Sequence, residues 1–322
     1  MSNGRLKVVF TDFDFNDVDI EKEVLGEINC DIVELQTKDE DKLAAECADA
    51  DGLIVQYAPI TEKVINSMKK CKVISRYGVG VDTIDLAAAS KGGIYVCNVP
   101  DYCLDEVADH SLGLMFSLGR KIVALDNAVK NGKWDAVGVA RPIFNFKRLI
   151  LGIIGFGKIP QHLYPKTEPL FGKTLVFDPY ISNEIKEKFN LNMASFYEIL
   201  LNSDFISIHC PLNDATYHMF DEREFQLMKP TAFLVNTSRG GIINTTALYL
   251  ALLNGHLAGA GLDVLEEEPP GMDNELVKMN NVIVTPHAGF YSESSIEDLK
   301  YKTAQNIVKV LKDDQPQNVV NK

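Results

Sequence analysis

The feature that most limits what this chain can fold into is a recurring alternation. Short, β-branched, nearly continuous apolar runs are separated by amphipathic or charged segments. Five runs come early: KVVFTDF (7–13), DIVELQ (31–36), GLIVQY (52–57), VISRYG (73–78) and YVCNVP (95–100). Six follow: LILGIIG (149–155), LVFD (175–178), FISIHC (205–210), AFLVNTS (232–238), GAGLDV (259–264) and VIVTPH (282–287). Runs this apolar suit strands buried on both faces. Strands alternating with helical segments, such as 39–48 and 61–70, imply parallel sheets wrapped by helices. The sequence therefore predicts an α/β chain of two doubly wound parallel-sheet domains. Helix-start signals agree: Ser195 with Glu198 fits a capping box, and Asn244 precedes TTALYLALLNG, which stops at Gly255. Two longer helical patterns, 104–130 and 293–312, stand outside the rhythm and belong near the junction of the domains.

Composition excludes several classes. The 322 residues carry 32 basic and 45 acidic side chains, a net charge of −13, which disfavours nucleic acid or an anionic membrane as the main partner. No apolar run reaches the length of a membrane span. MSNGRLKVVF enters the first strand with no leader, and the expected location is cytoplasmic. Cys30, Cys47, Cys71, Cys97, Cys103 and Cys210 form no CxxC pair and read as buried thiols in a reducing compartment. No metal site is expected.

The run LILGIIGFG ends in a Gly155-Phe156-Gly157 turn. Glycines there allow a tight turn and close approach of backbone to a pyrophosphate. The N–H groups of Phe156, Gly157, Lys158 and Ile159 would face the phosphate at the start of the next helix. Asp178 lies 21 residues after Gly157 and ends the next strand. An acidic residue so placed holds the ribose hydroxyls and repels a 2′-phosphate, favouring NAD over NADP. Against this stand Pro160, Pro165 and Pro169. A proline inside a helix costs about 3 kcal/mol or more, but Pro160 falls in the first turn, where N–H groups lack helical partners anyway. The expectation is that Pro160 pushes the helix outward and that the later prolines kink or shorten it.

Three reactive side chains follow the carboxyl ends of later strands, where ligands of open α/β sheets gather. Arg239 follows FLVNTS, Glu268 follows LDVLEE, and His287 ends VIVTPH. His209, Cys210 and Pro211 emerge on the same edge. The set fits reduction of a 2-oxo acid by a nicotinamide. Arg239 would hold the carboxylate and carbonyl oxygen, His287 would exchange the proton, and Glu268 would orient the imidazole. The other histidines, 110, 162, 209, 218 and 256, lack such company in the sequence. Tyr57 and Phe290 could line an apolar side-chain pocket for a larger or aromatic substrate.

The stretches RYGVGVDTIDL, GIYVCNVPDYCLDEVADHSL, LGIIGFGKI, VFDPY, HCPL, LVNTSRGGIIN, GAGLDVLEEEP and TPHAGFYSES together resemble the D-isomer-specific 2-hydroxyacid dehydrogenases, most of all the branch similar to C-terminal-binding proteins. The resemblance implies an NAD-dependent interconversion of a 2-oxo acid and a D-2-hydroxy acid. Its catalytic Arg, Glu and His fall on Arg239, Glu268 and His287. It implies that Asp263 contacts the nicotinamide amide, that Thr237 and Ser238 line the cofactor, and that Gly78, Val79 and Gly80 bind the substrate carboxylate. It further implies a Rossmann NAD-binding domain, 101–290, inserted into a flavodoxin-like substrate domain, 1–100 with 291–322, and a homodimer joined through the NAD-binding domains, with 121–141 and Trp134 in the contact. VQYAPIT lacks the arginines a phosphoglycerate enzyme would use, and no regulatory domain is expected after Lys322. The chain departs from the family at IPQHLYPKTEP. A second class therefore stays open: a binding or regulatory protein that keeps the fold with weak or no turnover.

Overall fold

The computed structural model describes residues 5–321; Met1–Gly4, the start of the stretch read as having no leader, and Lys322 lie outside the described residues, so the structure does not bear on that expectation. The chain divides into two compact units. One comprises Met1–Cys103 and Ser292–Lys322, the other Leu104–Tyr291.

The first unit holds β1 (Leu6–Phe10), β2 (Cys30–Glu34), β3 (Gly52–Val55), β4 (Val73–Arg76) and β5 (Tyr95–Cys97). All pair in parallel, in the order β2-β1-β3-β4-β5. This is the flavodoxin-like order, whose switch point lies between β1 and β3. Apolar clusters cover both faces, one around Leu53, Ile74 and Val96, the other around Phe10, Ile54 and Ile307. Ile307 comes from the helix Glu293–Leu311, opened by a Ser292 cap, which packs against β3 and β4.

The second unit holds β6 (Ile150–Ile154), β7 (Lys173–Phe177), β8 (Phe205–Ile208), β9 (Phe233–Asn236), β10 (Gly259–Leu262) and β11 (Val282–Val284). These are also all parallel, in the order β11-β10-β9-β8-β6-β7. The order reverses at β6, so its switch point falls between β6 and β8. The capping box of Ser195 and Glu198 is formed, and Asn244 caps Thr245–Leu253. The two doubly wound parallel sheets read from the sequence are thus present.

One element differs from expectation. The pattern over 104–130 is two helices, Leu104–Gly119 and Ile122–Lys130. Lys121 takes a left-handed conformation, φ 55°, which no α-helix propagates. The first helix buries Leu114, Met115 and Leu118, whereas the second buries no residue. Amphipathic spacing ran across the break and concealed it.

Candidate active site

Gly155 ends β6 at φ 82°. A Cβ there would lie 2.8 Å from the backbone of His209 and Cys210, so the loops leaving β6 and β8 can meet only at glycine. His209 and Cys210 thus close the switch point from the far side. The His209 ring nitrogen meets Ser207 Oγ at 2.8 Å, and burial pushes its pKa down to about 3. Burial pushes the Cys210 thiol up to about 11, which leaves it an unreactive thiol.

The Phe156 N–H, expected among the phosphate donors, goes instead to Asp178 Oδ2 at 2.8 Å; Asp178 Oδ1 accepts from Tyr180 N–H at 2.8 Å. Asp178 therefore ties the glycine turn to the end of β7. The donors left for an anion are the N–H groups of Gly157, Lys158 and Ile159, the first turn of the helix Lys158–Thr167. A Cβ on Gly157 would meet nothing within 4 Å, so the turn faces open space of the kind a pyrophosphate fills.

The prolines disturb this helix less than expected. It runs without a break from Lys158 to Thr167 through Pro165, and stops before Pro169. Pro160 is buried rather than displaced. It stands in the first turn, where an N–H has no helical acceptor, so the helix loses no bond there; the Phe156 carbonyl just before the helix accepts from Gln161 Nε2 at 3.3 Å. The Gln161 contact could not be read from spacing, because it depends on a side chain folding back over its own turn.

The turn after β9 is built by Asn236. Its Nδ2 donates to the Arg239 carbonyl at 2.9 Å and its Oδ1 accepts from Ser238 N–H at 3.0 Å. Thr237 Oγ1 meets Ser111 Oγ at 2.8 Å, and Ser238 Oγ donates to the Ile208 carbonyl at 2.9 Å. Both hydroxyls thus brace the turn that presents Arg239. Gly240 then passes so close to Leu265 that a Cβ would come within 1.9 Å of its carbonyl carbon. That approach sets the Arg239 turn beside the segment that carries Glu268.

Glu268 and His287 form a pair, with His287 Nδ1 2.7 Å from Glu268 Oε2. Glu268 Oε1 accepts from Leu265 N–H at 3.0 Å, so both oxygens are held. Burial alone would push the Glu268 carboxyl up. The His287 hydrogen bond and charge, the Leu265 N–H and the Arg239 charge outweigh it and hold the carboxyl below its ordinary value. An ionised acceptor at Nδ1 fixes the ring proton there, and a histidine so held can give or take a proton at Nε2. Nε2 has no protein partner among the described residues. The His287 backbone is left-handed, φ 52°, a conformation a non-glycine residue keeps only when its surroundings impose it.

Those surroundings are Asp263. The sequence reading gave it a nicotinamide contact; in the structure its carboxylate builds the histidine's loop. Oδ1 accepts from Thr285 Oγ1 at 2.6 Å and Ala288 N–H at 2.8 Å, and Oδ2 accepts from Gly289 N–H at 2.8 Å. Burial would raise the Asp263 carboxyl, but these donors and His110 hold it below its ordinary value. Because Thr285 gives its hydroxyl proton to Asp263, it must accept from His110 Nε2, 2.9 Å away.

Others of the remaining histidines have polar partners as well, outside the Arg239, Glu268 and His287 set. Besides the His110 contact, His218 Nε2 lies 2.6 Å from Glu266 Oε1, and His162 Nδ1 lies 3.2 Å from Asp105 Oδ2. Their partners are distant in sequence or follow no motif. Phe290 places its ring edge-on to His287, centroids 6.4 Å apart.

In the first unit, the switch point is organised by Asp12, which the sequence reading missed. Its carboxylate accepts from the N–H groups of Gln56, Tyr57 and Ala58 at 3.2, 2.8 and 3.1 Å. Tyr57 in turn donates its hydroxyl to Asp14 Oδ2 at 3.1 Å, and Lys38 Nζ sits 4.8 Å from its ring centroid. After β4, the carbonyls of Gly78 and Val79 are drawn back by Val99 N–H at 2.9 Å and Asn98 Nδ2 at 2.6 Å. Among the described residues, the N–H groups of Val79 and Gly80 donate to no protein acceptor. Such a turn can receive an anion. Among the described residues no group of three or more metal-binding side chains converges, and no helix is long and apolar enough to cross a membrane.

A parallel sheet with a glycine turn at its switch point and an acidic residue ending the next strand defines a dinucleotide-binding domain. The chain belongs to the D-isomer-specific 2-hydroxyacid dehydrogenases, NAD(P)-dependent oxidoreductases, whose NAD-binding domain matches residues 112–289. It is 39% identical to a glyoxylate reductase of Thermococcus litoralis over 82% of this chain and 81% of that protein. It is 38% identical to a D-3-phosphoglycerate dehydrogenase of Methanocaldococcus jannaschii over 98% of this chain, which spans 59% of that protein. A solved D-lactate dehydrogenase from Aquifex aeolicus, complexed with NAD and lactic acid, is 31% identical, with a TM-score of 0.84 over 95% of this chain and 96% of that one. These names do not support the expected nearness to C-terminal-binding proteins.

Proposed function

We propose that this chain interconverts a 2-oxo acid and a D-2-hydroxy acid with NAD(H), His287 acting as the acid and base. The observation that carries the reading is the His287–Glu268 pair, 2.7 Å apart, with Nε2 left unengaged by protein. When bound, the nicotinamide supplies the hydride that reaches the carbonyl carbon. His287 Nε2 gives its proton to the carbonyl oxygen in reduction and takes it back in oxidation. Glu268 keeps the ring in the tautomer that permits this and stabilises its charged form. Arg239 holds the substrate carboxylate and polarises the carbonyl. In the first unit, the N–H groups of Val79 and Gly80, with Gly78, offer a turn suited to a carboxylate, which supports reading that unit as the substrate domain. Phe290 offers an apolar wall beside His287, suited to a 2-oxo acid with an apolar substituent.

NAD is favoured over NADP because the Asp178 carboxylate would stand against a 2′-phosphate. Thr237, Ser238, His209, Cys210 and Pro211 line the cofactor's side of the switch point in this reading, and Asp263 reaches the nicotinamide only through the loop it holds. The second reading, a regulatory protein with weak turnover, rested on the prolines. The unbroken helix and the intact first-turn donors leave it without a specific observation. We also propose a homodimer through the second unit, because helix Ile122–Lys130 buries nothing and Trp134 and Val137 are 90% and 70% exposed.

The test is NADH oxidation by a panel of glyoxylate, pyruvate, hydroxypyruvate, phosphohydroxypyruvate and phenylpyruvate, with His287→Ala and Arg239→Ala as controls. Turnover with one acid, reduced by orders of magnitude in both variants at unchanged thermal stability, is expected. Turnover surviving His287→Ala would remove the proposed proton donor. Sedimentation of Trp134→Glu, expected to be monomeric, tests the dimer.

A further inference from the structure

The second unit contains a cavity that the catalytic reading does not use. It lies at the amino-terminal edge of the sheet, the edge opposite Gly155, Asp178 and Arg239. Leu149 precedes β6, Phe205 opens β8, Phe233 opens β9, and Ala258 precedes β10; Phe144 and Pro142 close the outer side. The volume is about 220 Å³. An apolar cavity of about 150 Å³ holds a benzene, so there is room for a ring and a short polar tail.

Two polar side chains interrupt the apolar lining, Thr231 and the charged Lys121. Lys121 bends its ammonium over the Phe233 ring, Nζ 4.8 Å from the centroid. Lysines at a surface normally extend their heads into water; this one is half-buried, and burial pushes its pKa down. Among the described residues it has no acidic partner. Its left-handed backbone breaks the long helix at the position from which the side chain reaches the cavity. A half-buried cation with one aromatic face and no acidic partner among the described residues leaves a place for one anion beside it. A dianion would bring one charge too many into a site with one cation and apolar walls.

We propose that this cavity binds a small monocarboxylate with an aromatic or branched apolar body, its carboxylate on Lys121 and its body against Phe205 and Phe233. The site is separate from the catalytic edge. The four-residue strands β8 and β9 run between the two edges, a span of roughly 13 Å at about 3.3 Å per residue. These strands begin at the cavity aromatics and end at His209 and at the Arg239 turn.

The experiment is a calorimetric titration of the full chain with phenylacetate, and with phenylacetamide as its uncharged counterpart. Lys121→Met keeps the apolar stem and removes the charge; Ala258→Leu fills the cavity; Arg239→Ala removes the anion-holding group of the other edge. Expected is millimolar or tighter binding of phenylacetate, weakened at least about tenfold in Lys121→Met and Ala258→Leu, unchanged in Arg239→Ala, and at least about tenfold weaker for the amide. Thermal unfolding checks that each variant folds, and Lys121→Met decides alone if Ala258→Leu does not. Absence of binding, binding indifferent to Lys121→Met, or binding lost in Arg239→Ala would overturn the proposal. Binding seen only in monomeric Trp134→Glu would also overturn it, since the cavity would then be a face covered by a second copy.

Discussion

Replacing Glu268 with Gln tests the His–Glu pair most directly, because the shape is kept and one acceptor is lost. Glu268 serves two donors, His287 Nδ1 at 2.7 Å and Leu265 N–H at 3.0 Å. Glutamine has one acceptor oxygen. If that oxygen faces His287, its amide N–H₂ confronts the Leu265 N–H, donor against donor. If the amide turns over, its N–H₂ donates to Nδ1 and drives the ring proton to Nε2, the wrong tautomer for a base. A hydrogen bond to a charged group contributes about 1.5–3 kcal/mol. The side chains are 45% and 38% exposed, so solvent screening puts the pair near the bottom of that range. About 1.5–2 kcal/mol corresponds to a loss of roughly 10–30-fold in kcat/KM. The loss should appear in kcat, with NADH affinity by fluorescence titration unchanged. Glu268 carries a folded pKa below its ordinary 4.5, so its stabilising contribution is present above that value and lost as pH falls through the folded pKa. The wild type should therefore lose stability on that acid limb, and Glu268→Gln should flatten it. A variant within twofold of wild-type kcat, or one whose whole defect is weaker NADH binding, would refute the orienting role.

Four further outcomes are expected. Asp178→Asn should raise the affinity for NADPH relative to NADH by about tenfold or more, since one carboxylate–phosphate repulsion is worth about 1–4 kcal/mol near a surface; paired titrations with both dinucleotides read it, and an unmoved ratio would count against the discriminating role. Gly155→Ala, at φ 82° and 2.8 Å from the His209 and Cys210 backbone, should cost about 2–5 kcal/mol by thermal or urea unfolding; Gly157→Ala should leave stability near wild type and weaken NADH. Pro160→Ala should change NADH affinity by less than about twofold, while Gln161→Leu should cost about 1 kcal/mol of stability; a large affinity gain in Pro160→Ala would restore the damaged-loop view. Asp263→Asn should lower stability above its folded pKa and lose kcat. Because the Asp263 carboxyl lies below its ordinary value, the wild-type difference should vanish only as pH falls through that folded pKa.

Much of the fold was legible because its cause is repetitive. Eleven apolar runs became eleven parallel strands, and the Ser195 and Asn244 caps started helices where local hydrogen-bonding chemistry said they should. What escaped was set by single conformations. Lys121 interrupts a helical pattern with one left-handed residue, which no periodicity reports. Pro160 was expected to push its helix outward because a ring stands where close packing usually wants a glycine, but whether a ring fits depends on the shape around it, and here Pro160 is buried in an unbroken helix.

The candidate site divides along the same line. Arg239, Glu268 and His287 could be read from strand ends because the sheet itself brings strand ends together. The residues that aim them could not, since they work through backbone groups, most of them far along the chain and, for Asn236, inside its own turn. Asp12 holds the loop at 56–58, Asn236 holds the Arg239 turn, and Asp263 holds Ala288 and Gly289 while Thr285 links it to His110. These are polar side chains, buried or nearly so, with carboxylate or amide oxygens turned toward peptide N–H groups. Their value lies in the cost of leaving such groups unpaired, which makes each loop conformation hard to leave. A left-handed His287 would relax to an ordinary conformation on a free loop; on this one it cannot move without stripping Asp263 of two N–H donors. The sequence thus displays the groups that could react, whereas the reach of a few buried oxygens decides whether those groups are held in place to do so.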